Sequence, residues 1–170
     1  MWNPWSDLLG SAEYRAVHLE MRDSYMQVPA FHHWVATGEF DGPDAPVWAD
    51  WQSLIRSTIQ RGVVVQRARI VSEPLSDYIR WEHAVTGMNT AVGEEVRWLP
   101  RHRASDLALP GNDFWLIDDR LVLFTLFTGD GDAADPPGQE SKDPAVVQLC
   151  AGAFDAVWNR ATPHEEYQVR

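Results

Sequence analysis

The sequence predicts an α/β (α+β) fold, a mixed sheet with helices packed on it and an N-terminal helical layer. Three observations carry that expectation. Apolar residues recur at helical spacing through much of the first sixty positions, the period drops to two at Gly62, and helical spacing returns after Asp143.

Residues 11–25 place Tyr14, Val17, Leu19 and Met21 amid charges, which predicts a helix opened by a Ser11 cap. A second helix starts at Pro29, with Phe31, Trp34 and Val35 three and four apart, and stops at Gly38. Residues 38–46 hold two glycines, two prolines and two aspartates, a loop composition. A third helix covers 47–61 through Trp48, Trp51, Leu54, Ile55 and Ile59, with Gly62 as its stop.

Residues 63–71 are rich in β-branched side chains and form a strand, with Val65, Arg67, Arg69 and Val71 on one face. Ser72 and Pro74 then read as the cap and first turn of a helix whose inner face carries Leu75, Ile79, Glu82 and Val85. Residues 87–93 end it. A strand follows at 96–99, then a hairpin of 114–117 and 121–127 around Asp118, Asp119 and Arg120. Residues 130–140 read as an acidic Gly/Pro loop. The last helix is capped by Asp143 with Pro144 at its first position, and buries Val146, Leu149, Cys150, Ala153, Val157 and Ala161. The expected organisation is one domain over 1–170, with a helical layer in 1–61 and a sheet core in 62–162.

The chain has 170 residues and a net charge of −11, with 14 basic against 25 acidic side chains. That balance argues against direct nucleic-acid binding, which needs cationic surface. Its apolar runs are far shorter than the roughly 18 residues a membrane span requires, and no cationic, then apolar leader opens it. The expected location is cytoplasmic. A single cysteine, Cys150, allows no internal disulfide and disfavours a thiolate metal site. No metal or cofactor is expected: His32 and His33 are adjacent rather than four apart, and Asp130-Gly131-Asp132 lacks the glycine and glutamate of a calcium loop. There is no P-loop, dinucleotide turn or nucleophile elbow.

The acidic total hides an asymmetry, because residues 56–103 carry +3 and the remainder −14. All cations but Lys142 are arginines, whose planar donors suit carboxylates and phosphates. Glu82 falls on an apolar helix face, where a carboxylate needs a cation, and Arg67 or Arg69 is the natural partner. One reading is an ion pair that fixes packing. The other is an anion-binding wall of Arg67, Arg69, Arg80, Arg97 and Arg101, with Glu82 orienting the guanidinium groups and Tyr78 and Asn89 adding neutral hydrogen bonds. Nine tryptophans are present, of which Trp2 and Trp5, flanking Pro4, read as a lid or partner contact.

Residues 67–78, RARIVSEPLSDY, together with 93–101, GEEVRWLPR, and 112–115, NDFW, resemble an actinobacterial family of unknown function encoded beside Xre-type helix-turn-helix regulators. The second half of the chain resembles non-catalytic phospholipase-D-like modules. Catalytic members of that class use a histidine, a lysine two positions on and a later aspartate. Here the only lysine, Lys142, has Glu140 two residues before it, so the resemblance implies the fold without its phosphodiesterase chemistry.

The expected function is that of a non-enzymatic regulatory accessory module that binds a small anionic metabolite or a protein partner, such as a helix-turn-helix regulator or a second copy of the chain. No membrane partner is expected. The alternative is a small biosynthetic enzyme acting on an anionic substrate in the same cleft, with Glu82 or Asp77 as general base.

Overall fold

The computed structural model describes residues 4–25 and 28–170. The elements are α1 (Pro4–Gly10), β1 (Arg15–Glu20), α2 (Pro29–Thr37), α3 (Ala49–Gln60), β2 (Val64–Val71), α4 (Asp77–Val85), α5 (Gly87–Thr90), β3 (Glu95–Pro100), β4 (Phe114–Ile117), β5 (Leu121–Phe127), β6 (Ala133–Ser141), α6 (Pro144–Arg160) and β7 (Thr162–Pro163). The strands form one mixed sheet in the order β6-β5-β4-β1-β2-β3-β7. β2 pairs parallel with both β1 and β3, and the other neighbours are antiparallel.

The strand period of two sorts the sheet's side chains onto two faces. Val17, Leu19, Ala68, Ile70, Leu99, Phe114, Leu116 and Val122 pack under α6 against Val147, Cys150, Ala153, Phe154 and Val157. On the other face Ala16, Val65, Trp115, Ile117 and Leu123 meet Leu8 and Leu9 of α1 and Ile55 of α3. A third cluster joins Phe31 of α2, Tyr78, Ile79 and Trp81 of α4, and Trp98 of β3.

Several expected elements are present. Pro29 opens α2, and Gly38 closes it at φ 73°, its N–H donating to the Trp34 carbonyl. Asp143 caps α6 by accepting from the Ala145 N–H, with Pro144 in the first turn. Leu149 departs from the expected α6 stripe and is exposed.

Three expectations are corrected. Residues 15–20 are a strand at the centre of the sheet rather than part of a helix. Val17 and Leu19 alternate with His18 and Glu20, but the alternation is short, and Tyr14, Val17 and Met21 also fall at helical spacing behind Ser11, so tertiary pairing on both sides decides for a strand. Residues 133–141, most of them within the expected 130–140 loop, are the edge strand β6; Pro136 and Pro137 fall in the irregular stretch between the Phe127–Ala133 and Thr125–Gly138 pairs, where the ladder is interrupted. The cap of α4 is Ser76, which accepts from the Ile79 N–H, and not Ser72. Ser72 instead donates its N–H and hydroxyl to Asp23.

Candidate functional site

The face of the sheet away from α6 becomes charged toward the ends of β1 and β2. His18 and Glu20 lie two apart on β1, and Arg67 and Arg69 two apart on β2. The parallel register sets His18 beside Arg67 and Glu20 beside Arg69. On the other side, antiparallel pairing sets Trp115 of β4 beside His18, and their rings stack at 4.4 Å.

Arg67 donates from Nε to Glu94 (2.7 Å) and from Nη1 to Glu20 (3.0 Å). Its guanidinium also lies within 6 Å of the Trp51 and Trp115 rings. Asn89 completes Glu94 by donating to its second oxygen at 2.6 Å. Arg69 pairs with Glu20 at 2.9 Å and contacts the Glu82 carboxylate reaching down from α4. Both arginines are buried, and each is shared by two carboxylates.

The surroundings set the protonation states. Burial pushes Glu20 upward, but the charges of Arg69 and Arg67 outweigh it and hold the carboxyl at about 2. Burial lowers His18 to about 3, against the upward pull of Glu20, so its ring is neutral at pH 7. Burial also depresses Arg69. In Arg67 burial is outweighed by Glu94 and Glu20, and the group is raised.

Above this floor opens a cavity of about 520 Å³. Glu20, Glu82 and Asp113 contribute its carboxylates, and Trp5, Tyr25, Tyr78 and Phe127 its aromatic walls. Asp113 accepts from the Tyr25 hydroxyl (2.5 Å) and the Met21 N–H (2.9 Å). Burial raises Asp113 to about 6, assisted by the charge of Glu20 and opposed by the Tyr25 hydrogen bond. Four buried atoms of the lining residues have no hydrogen-bond partner: Glu20 Oε2 and Glu82 Oε2, which are ion-paired with Arg69, and His18 Nδ1 and Thr125 Oγ1, of which His18 Nδ1 lies 3.8 Å from Glu20 Oε1. A second cavity of about 400 Å³ shares Trp5, His18 and Glu82 with the first and extends past Arg67 and Arg69 to Trp48, Trp51 and Asn89.

The sequence matches the family described as "Domain of unknown function (DUF6879)" over residues 3–169. The chain belongs to that family. No curated protein matches this DUF6879 chain. Among solved structures it resembles Nuc, a phospholipase D family member from Salmonella typhimurium, with a TM-score of 0.51 at 12% identity, covering 94% of this chain and 88% of that one. NucT from Helicobacter pylori gives a TM-score of 0.54 at 11% identity, with 95% and 89% covered. At such identities the likeness establishes a phospholipase-D-like fold for this DUF6879 domain and nothing about activity. TrmBL2, described as an archaeal chromatin protein, is similar at a TM-score of 0.47 and 15% identity, over 92% of this chain and 48% of its own.

The fold brings together only part of the expected arginine wall. Arg67, Arg69, Glu82 and Asn89 meet, and Tyr78 lines the larger cavity. Arg97 points to the α6 face, where it donates to the Trp158 carbonyl and stacks over that indole at 4.3 Å. Alternation along β3 puts it opposite its neighbours Val96 and Trp98. Arg101 ties β1 to β2 by donating to the Met21 and Ile70 carbonyls, Ser72 and Asp23. Arg80 donates to the Leu75 carbonyl, and Asp77 is exposed in the first turn of α4. The described lining of either cavity includes none of Arg80, Arg97, Arg101 and Asp77. Trp5 lines both cavities, whereas Trp2 lies outside the described residues.

His18, Glu20, Glu94, Asp113 and Trp115 are site residues that the sequence did not single out, although Glu94, Asp113 and Trp115 lie in the motifs that carry the family resemblance. Had residues 15–20 been taken as a strand, the two-residue spacing of His18 and Glu20 would have matched that of Arg67 and Arg69.

Among the described residues no helix is long and apolar enough to cross a membrane.

Proposed function

We propose that this DUF6879 domain is a non-enzymatic binding module that takes a small ligand in the aromatic cleft above the Arg67–Arg69 network. The observation that carries this reading is the 520 Å³ cavity, walled by aromatic and aliphatic side chains and three carboxylates, with buried atoms of His18 and Thr125 that make no hydrogen bond. That volume, with few polar groups among apolar walls, suits a small organic molecule. A ligand there would bridge β1, α4 and β5, so its binding is felt by several elements at once.

Anion capture by free guanidinium groups has less support, because Arg67 and Arg69 already serve Glu20, Glu82 and Glu94. Catalysis with Glu82 or Asp77 as general base is likewise weakly supported: Glu82 is held by Arg69, and Asp77 lines neither cavity. The resemblance to proteins encoded beside helix-turn-helix regulators favours such a regulator as the partner that reads the bound state. The net charge of −11 suits contact with a basic partner.

The test is mass spectrometry of the purified full chain in its native and denatured states, beside a Thr125→Trp variant whose indole fills the cavity. A small molecule released from the wild type and absent from a folded variant supports the reading. Equal recovery from both, or no molecule and no thermal shift across a metabolite panel, overturns it.

A further inference from the structure

The charge of the cleft is set by its own residues. Glu20, Glu82 and Asp113 reach its surface, and no lysine or arginine is among its described lining residues. Behind the wall, Arg67 and Arg69 pair with three carboxylates, Glu20, Glu82 and Glu94, so the network carries an excess of negative charge even before Asp113 is added. His18 adds none at neutral pH. A further cation, Arg22, is half-buried over the Phe127 ring with its Nε near the Ser24 carbonyl; its charge is felt at Asp113 but does not outweigh burial there.

Two additional observations point to a ligand rather than to an acidic patch. The carboxylates open onto Trp5, Tyr25, Tyr78 and Phe127, whose ring faces attract cations. His18, only 8% exposed, has an Nδ1 without a hydrogen-bond partner in the same wall. A cationic head seated among carboxylates and a neutral imidazole, with an apolar body against the rings, would satisfy both features.

We infer that the cleft selects an organic cation, a primary amine or ammonium group on an aromatic or apolar body, over anions of the same shape. This rests on the cleft being a ligand site and specifies the chemical class it takes. The Asp113 carboxylate supplies part of the selectivity, and the rings supply affinity that a neutral analogue shares.

Isothermal titration of the full chain at pH 7.5 or so with three probes of similar shape tests it: phenethylamine, 2-phenylethanol and 3-phenylpropionate. Phenethylamine should bind about tenfold more tightly than the alcohol, and the carboxylate should bind most weakly. Asp113→Asn should weaken the amine and leave the alcohol unchanged, while Thr125→Trp should block both. Because the probe comparison uses the wild type, it does not depend on any variant folding. Equal binding of all three, or tightest binding of the carboxylate, overturns the charge inference while leaving the cleft a ligand site. Binding of none overturns the inference as well, and the co-purification experiment then decides the cleft on separate grounds.

Discussion

Glu94 holds Arg67 through a 2.7 Å hydrogen bond from Nε, between two side chains that are both buried. Removing one partner of such a pair leaves the other's charge uncompensated, at a cost of about 3–5 kcal/mol. Arg67 keeps Glu20 as a second partner, so Glu94→Gln should lose about 2–3 kcal/mol in urea unfolding. The double variant Arg67→Met/Glu94→Gln should be less destabilised than the sum of the two single changes.

Asp118 gives a second prediction. Its carboxylate accepts from the backbone N–H groups of Glu13, Tyr14 and Arg15 at 2.9 Å each, fastening the β4–β5 hairpin to the start of β1. Burial raises this carboxyl, but those hydrogen bonds outweigh it and leave the group below its ordinary value. Asp118→Ala leaves three donors without an acceptor and should lower stability by about 2–4 kcal/mol, read from the midpoint of thermal or urea unfolding. With the folded value depressed, Asp118's own contribution is present above the ordinary carboxylate range and fades as pH falls through the depressed value.

Asp113 behaves in the opposite sense. Its folded value of about 6 lies above the ordinary value of 3.8, so between those two values the native state binds more protons than the unfolded chain. Its contribution is fully present below pH 3.8 and is lost as pH rises to about 6. Asp113→Asn removes that dependence. The stability of wild type relative to the variant should therefore fall by about 1–3 kcal/mol between pH 4 and pH 7, at roughly 1.4 kcal/mol for each pH unit separating the folded and unfolded values, measured by urea unfolding at several pH values.

The sequence exposed those elements whose local signals agree with their tertiary setting. Pro29 and Gly38 bracket α2, Asp143 and Pro144 start α6, and the β-branched run of β2 lies in the sheet as expected. It concealed β1, because the short alternation of Val17 and Leu19 with His18 and Glu20 competes with the helical spacing of Tyr14, Val17 and Met21, and β6, whose prolines read as loop. The site inherits that gap. Arg67, Arg69 and Glu82 could be brought together from the period of β2 and the apolar face of α4. Their partners Glu20 and Glu94 could not, since one lies on the concealed strand and the other just before β3, and ion pairing across strands leaves no local pattern. Arg97 was misplaced for a different reason: two arginines in adjacent strands are near in space, yet the pleat sends them to opposite faces.

Ligand uptake by the cleft on the face away from α6 is read most directly by ¹H–¹⁵N NMR of the full chain titrated with phenethylamine. Saturable shifts are expected at His18, Tyr78 and Thr125, with Arg97 and Trp158 on the α6 face unmoved. Shifts confined to the α6 face or to the neighbourhood of Arg101, or no movement at His18, Tyr78 and Thr125 at millimolar probe, would refute the uptake of an organic cation by the cleft.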